Sequence, residues 1–167
     1  MIALRLILAG AMLAVCIPCN AQDIQGRIVG VTDGDTVTLL TADNVQYKIR
    51  LAGIDAPEKK QDYGMASKAA LSDCAYDRLA RIEGNKKDRY GRLVGKVYVG
   101  STDCNLRQIQ LGLAWHYKKY QNEQEVEDRS TYAQEEYVAQ SSKKGLWSNN
   151  ESMPPWDYRK LKKAKRL

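Results

Sequence analysis

The sequence predicts an α+β, mainly β domain, a five-stranded Greek-key barrel with about three α-helices. Apolar and polar residues alternate in short runs between residues 27 and 51, with turn signals between them. The period then lengthens to that of a helix over 64–79, and two more β-rich runs follow at 81–85 and 93–99. Five strands with one helix between the third and the fourth suit the small barrel of the oligonucleotide-binding (OB) type.

Each element has a local reason. Arg27 to Thr32 is rich in β-formers and ends at Asp33-Gly34, a dipeptide that favours a turn. From Asp35 to Leu40, Val37 and Leu39 fall on one face, and Thr36 and Thr38 on the other. Ala42-Asp43-Asn44 reverses the chain; Val45, Tyr47, Ile49 and Leu51 then share a face opposite Gln46, Lys48 and Arg50. Three strands joined by short turns make an antiparallel meander. Met65, Ala66, Ala69, Ala70, Cys74 and Ala75 lie at helical spacing. The charged turn 86–92 separates the last two strands. Asp103 or Asn105 can cap a short helix carrying Leu106, Ile109 and Leu113. A longer helix is expected over about 124–144, with Val126, Ala133 and Tyr137 inward, ending in basic residues and Gly145. The folded domain is expected over 22–153. Residues 154–167, with Pro154-Pro155 followed by Arg159, Lys160, Lys162, Lys163, Lys165 and Arg166, read as a mobile basic tail.

The 167 residues carry 26 Lys and Arg against 20 Asp and Glu, a formal net charge of +6. One globular domain fits that length, and the net positive charge points to anionic partners. The single histidine, His116, excludes mechanisms built on paired histidines and His-rich zinc sites. A structural role is expected for it, and core or helix-anchoring roles for Trp115, Trp147 and Trp156. Residues 1–21 have the anatomy of a secretory signal: one charge at Arg5, an apolar run from Leu6 to Ile17, a break at Pro18 and small residues before a cleavage point after Ala21. About twelve apolar residues are too few for a membrane span, which needs roughly 20. A periplasmic or secreted protein without a membrane anchor in its mature chain is therefore expected. Cys74 and Cys104 then remain in an oxidising compartment, where a disulfide between them is expected rather than two buried free thiols. Two cysteines 30 residues apart do not make a zinc site.

The chemistry lies at the ends of strands. Asp33-Gly34-Asp35-Thr36 alone reads as a β-turn. In Ile49-Arg50-Leu51-Ala52-Gly53-Ile54-Asp55-Ala56-Pro57-Glu58, however, Asp55 and Glu58 emerge where an apolar strand ends, and Pro57 stiffens the backbone between them. Arg50 precedes them on the polar face, and Asp88-Arg89-Tyr90-Gly91-Arg92 puts Arg92 at the mouth of another strand. A pure nucleic-acid binder has no use for acids among its arginines, because a phosphodiester repels them. A divalent cation reverses that logic by neutralising the acids and gripping a phosphate oxygen. Hard oxygen ligands fit Ca²⁺ or Mg²⁺. Two guanidinium groups can clamp a phosphate and stabilise charge developing on phosphorus, and a remaining carboxylate can activate water.

These residues resemble the staphylococcal-nuclease-like thermonucleases. The likeness runs through DGDT (33–36), IRLAGIDAPE (49–58), YG (63–64), DRYGR (88–92), GLAWHYKKY (112–120), KKGLW (143–147) and PPWDYRK (154–160), in the family's order and spacing. It implies that Asp35, Asp55 and the carbonyl of Ala56 ligate a Ca²⁺ ion, and that Glu58 is the general base. It further implies that Arg50 and Arg92 bind the scissile phosphate, with Arg92 nearer the leaving 5′ oxygen, and that Tyr117 and Tyr120 contact the terminal nucleotide. Ala56 stands where some members have Thr. The activity implied is hydrolysis of DNA and RNA with little sequence preference, favouring single-stranded substrate and leaving 3′-phosphate ends, by a monomer. The alternative is a non-catalytic OB-type binder of single-stranded nucleic acid, in which the acids are incidental.

Overall fold

A computed structural model describes residues 23–149 and 151–165. The expected leader, 1–21, lies outside the described residues. Strands β1 (Ile24–Asp33), β2 (Thr36–Leu40) and β3 (Gln46–Leu51) form the antiparallel meander. Helix α1 (Gly64–Ala75) follows, after a two-residue strand β4 (Ile54–Asp55). Strand β5 (Leu79–Lys87) pairs antiparallel with β1, and β6 (Leu93–Val99) pairs antiparallel with β5 and parallel with β3. The parallel pairing of β3 with β6 closes a five-stranded barrel, as the strand pattern predicts. A short β7 (Thr102–Asp103) extends the sheet, and β8 (Trp115–His116) pairs with β4 in a separate two-stranded sheet.

Alternation fixes what fills the barrel. Ile28, Val37, Leu39, Ile49, Leu51, Ile82, Leu93 and Val97 are buried inside it, each contributing roughly 1.5–3 kcal/mol of apolar burial. Helix α2 (Cys104–Gln110) starts at the Asp103 cap, whose carboxylate accepts from the amides of Asn105 and Leu106. The disulfide Cys74–Cys104 is present, both cysteines are buried, and it joins the end of α1 to the start of α2.

Two expectations are corrected, and α1 buries a face that its spacing alone does not fix. Helix α1 buries Gly64, Ser67, Leu71, Cys74 and Ala75, leaving Met65, Ala66 and Ala69 exposed. Ser67 turns inward because its hydroxyl donates to the carbonyl of Leu113 at 2.7 Å. Helix α3 (Val126–Ser141) buries Tyr132, Glu136 and Ala139, whereas Val126, Ala133 and Tyr137 face outward. Buried Glu136 accepts from the His116 amide and pairs with Lys118, which suits an acid to the inner face. Finally, the stretch read as a mobile tail forms helix α4 (Pro155–Ala164), with Pro155 at its first position, where its fixed φ suits a helix start. Its Trp156 stacks on Tyr117 with ring centres 5.5 Å apart and 16° between planes, and meets Trp115 edge-on.

Candidate active site

Asp35 sits on the turn between β1 and β2, and the chain beneath that turn is crowded. A Cβ on Gly34 would lie 1.9 Å from the Ser67 hydroxyl oxygen and 2.8 Å from Ala56 Cβ, so only glycine fits. Buried Gln108, on α2, donates from Nε2 to the Gly34 carbonyl (2.7 Å) and the Ser67 carbonyl (2.9 Å). Both helices thus grip the turn. Asp35 Oδ2 accepts the Ala56 amide at 2.7 Å, and Oδ1 accepts the Thr36 hydroxyl at 3.2 Å.

Asp55 is almost fully buried, because β4 pairs it with Trp115 of β8. Arg50, opposite Thr36 in the ladder, reaches between the two acids: Nη1 lies 2.9 Å from Asp35 Oδ2 and Nη2 lies 2.9 Å from Asp55 Oδ1. Pro57 carries the chain outward to Glu58, whose amide donates to Gln61 Oε1 and whose carbonyl accepts the Gln61 amide. The Glu58 side chain is about two-fifths exposed. Arg92 sits on a turn kept by Asp88, whose Oδ2 accepts from Arg92 Nε at 2.7 Å. Gly91 takes φ 77° at the turn's tip. Burial pushes the Asp88 carboxyl up, but hydrogen bonds from the Arg92 side chain and from the Arg92 and Tyr90 amides outweigh it and hold it below its usual range.

All these groups line one cleft of about 1480 Å³: Asp35, Arg50, Asp55, Ala56, Glu58 and Arg92, with Tyr117 and Tyr120. Tyr117 and Tyr120 meet edge-to-face, 5.2 Å between ring centres. Burial raises the Tyr117 hydroxyl above its usual pKa, and Asp55 adds to the effect. His116 stands apart from this group, buried with Nε2 2.8 Å from Gln124 Oε1 and its ring edge-on to Tyr132, in the structural role expected. Trp115 is buried and meets Trp147 edge-on.

One member of the site escaped the sequence reading. Arg159 of α4 places Nη2 2.7 Å from Asp55 Oδ2 and Nη1 2.9 Å from Glu58 Oε1. Its only sequence signal is the PPWDYRK stretch, which says nothing of where the helix docks. The two carboxylates at the cleft floor are buried, with Arg50 against both and Arg159 against Asp55. Burial pushes Asp35 up to about 7 against the pull of Arg50, and the nearby charges of Asp33 and Asp55 add to the rise. The all-oxygen donor set of Asp35, Asp55 and the Ala56 main chain suits a hard divalent cation. Among the described residues no three Asp, Glu, His or Cys side chains form a closed cage, so such an ion would need main-chain and water oxygens as well.

Comparison with known proteins agrees with this geometry. Residues 48–149 match the family model described as staphylococcal nuclease homologue. An uncharacterized endonuclease of Haemophilus influenzae is 39% identical over 145 residues, covering 87% of this chain and 78% of the relative. An uncharacterized endonuclease of Escherichia coli is 35% identical, covering 87% of this chain and 91% of its own length. A micrococcal nuclease of Shigella flexneri is 33% identical over 170 residues, covering 96% and 94%. With the barrel closed and the paired acids and arginines on one cleft, the chain belongs to the staphylococcal nuclease family.

Proposed function

We propose that this nuclease is an exported, Ca²⁺-dependent phosphodiesterase that hydrolyses single-stranded DNA and RNA with little sequence preference, leaving 3′-phosphate ends. The observation that carries the reading is the convergence of Asp35, Asp55, Glu58, Arg50 and Arg92 on one cleft of a basic protein. Asp35 and Asp55, with the Ala56 carbonyl, would hold the ion, whose bound chemistry is charge neutralisation and polarisation of a phosphoryl oxygen. Arg50 and Arg92 offer forked donors to the phosphate and stabilise the charge that grows on it. Arg92 is aimed by Asp88, whose Oδ2 takes its Nε and lies 2.7 Å from its Nη2. Glu58, half-buried and tethered at its backbone by Gln61, accepts the proton of the attacking water. Tyr117 and Tyr120 present aromatic surface on which an unstacked terminal base can rest.

Export is supported by the apolar leader pattern and by the Cys74–Cys104 bridge, which needs an oxidising compartment to persist. Among the described residues no helix is long and apolar enough to cross a membrane. A monomer suffices, since one chain supplies every group named.

The test is digestion of an end-labelled single-stranded oligonucleotide with Ca²⁺, with Mg²⁺ and with chelator, followed by analysis of the product termini. Shortening with Ca²⁺ to products bearing 3′-phosphate is expected. Retardation on a gel without shortening in any metal would instead identify a non-catalytic binder.

A further inference from the structure

Helix α4 leaves an unexplained concavity on the outer side of Glu58. Glu58, Tyr158, Arg159, Lys162 and Lys163 bound a hollow of about 260 Å³, and Glu58 and Arg159 also line the main cleft. The hollow therefore continues the cleft past the carboxylate that the mechanism uses as base. Arg159 is committed to Asp55 and Glu58. Lys162 and Lys163 are exposed, and among the described residues neither forms an ion pair. Lys162 Nζ lies over the Tyr158 ring, 5.7 Å from its centre. The helix itself is held in place by Trp156 against Tyr117 and by the Tyr158 hydroxyl donating to the Lys60 carbonyl at 3.3 Å.

We infer that the Lys162–Lys163 face of α4 is a second phosphate subsite, which takes a phosphate of the polynucleotide flanking the one cleaved. The inference rests on the nuclease reading of the cleft. Its chemistry is plain: two unpaired ammonium groups beside a hollow that opens on the reaction centre attract an anion, and the substrate is a chain of evenly spaced anions. Phosphate contacts of this kind position a strand without reading its sequence. The role of Arg159 is to neutralise the Glu58 and Asp55 carboxylates that would otherwise repel the strand as it passes from one site to the other.

The experiment measures binding of a fluorescein-labelled oligodeoxythymidylate, with Ca²⁺ present, to full-length protein carrying Glu58→Gln to suppress cleavage. Affinity is followed against salt concentration. Adding Lys162→Ala and Lys163→Ala is expected to make the log–log salt dependence shallower by about 0.7, the change for one phosphate of a single strand that is no longer neutralised. At low salt the affinity should fall on the order of tenfold or more. A Lys48→Ala, Lys68→Ala pair removes the same charge from residues lining neither hollow nor cleft, and should leave the slope in place. If the α4 pair leaves the slope unchanged, or both pairs lower it alike, the subsite does not exist. If the Glu58→Gln parent binds no oligonucleotide, the nuclease reading falls as well. Far-ultraviolet circular dichroism and thermal melting confirm that the variants fold.

Discussion

Replacing Asp35 by Asn should stabilise the metal-free protein at neutral pH and leave it unchanged in acid. Asn keeps an oxygen for the Ala56 amide and is neutral throughout. Burial, resisted by Arg50 and reinforced by Asp33 and Asp55, moves the Asp35 carboxyl from 3.8 to about 7. At about 1.4 kcal/mol per pK unit, that displacement corresponds to roughly 4 kcal/mol between the neutral and ionised forms. The folded state holds this proton between about pH 4 and 7, where the unfolded chain has released it. The contribution of Asp35 is thus fully present below pH 4 and declines as the pH rises through 7. Relaxation of so polar a site discounts the figure, so the variant should gain about 2–4 kcal/mol over the parent from pH 4 to pH 8. Urea denaturation followed by tryptophan fluorescence, in chelator across that range, measures it. Adding Ca²⁺ at pH 8 should restore the parent and not the variant. Parallel stability curves for the two proteins would refute the argument that ionised Asp35 is unfavourable without a metal.

Further expectations concern the rest of the site and its support. Glu58→Gln should lower kcat by roughly 10²–10⁴ in oligonucleotide digestion, the usual size of a positioned base. Arg92→Ala should cost about 10²–10³ in kcat, and Arg92→Lys should recover little, because a point charge cannot replace the fork. Gly34→Ala should destabilise by about 1–3 kcal/mol through the clash with Ser67 and Ala56 and lower calcium affinity in calorimetry. Removing the bridge with paired Cys74→Ser and Cys104→Ser should cost about 3 kcal/mol in urea unfolding, since it closes a loop with a sequence separation of 30.

Local rules made the barrel legible. In β2, Val37 and Leu39 are fully buried as their alternation requires, and the DGD turn fixes the register with β1. Helix faces were harder to read. In α1 the many alanines give little contrast between faces, and Ser67 is drawn inward by a carbonyl 46 residues away. In α3, buried Glu136 and exposed Tyr137 invert the rule that apolar means inside. Strands β4 and β8 have two residues each, too few to show a period. The site residues stood out because they end strands and share short motifs. Arg159 did not, since its contacts with Asp55 and Glu58 span about a hundred residues of chain and depend on where α4 docks. A run of lysines and arginines reads as solvated charge until packing of Trp156 and Tyr158 gives one face an address.

The sulfur bridge has a mechanical consequence. It rivets together the two helices that supply Ser67 and Gln108, the pair of hands beneath the glycine of the Asp35 loop. Once the rivet is reduced, those hands are joined only by weak forces that thermal motion can open. The same polypeptide should then grip calcium less firmly before oxidation than after, so that a cell making it would face a blunted blade until the thiols are joined.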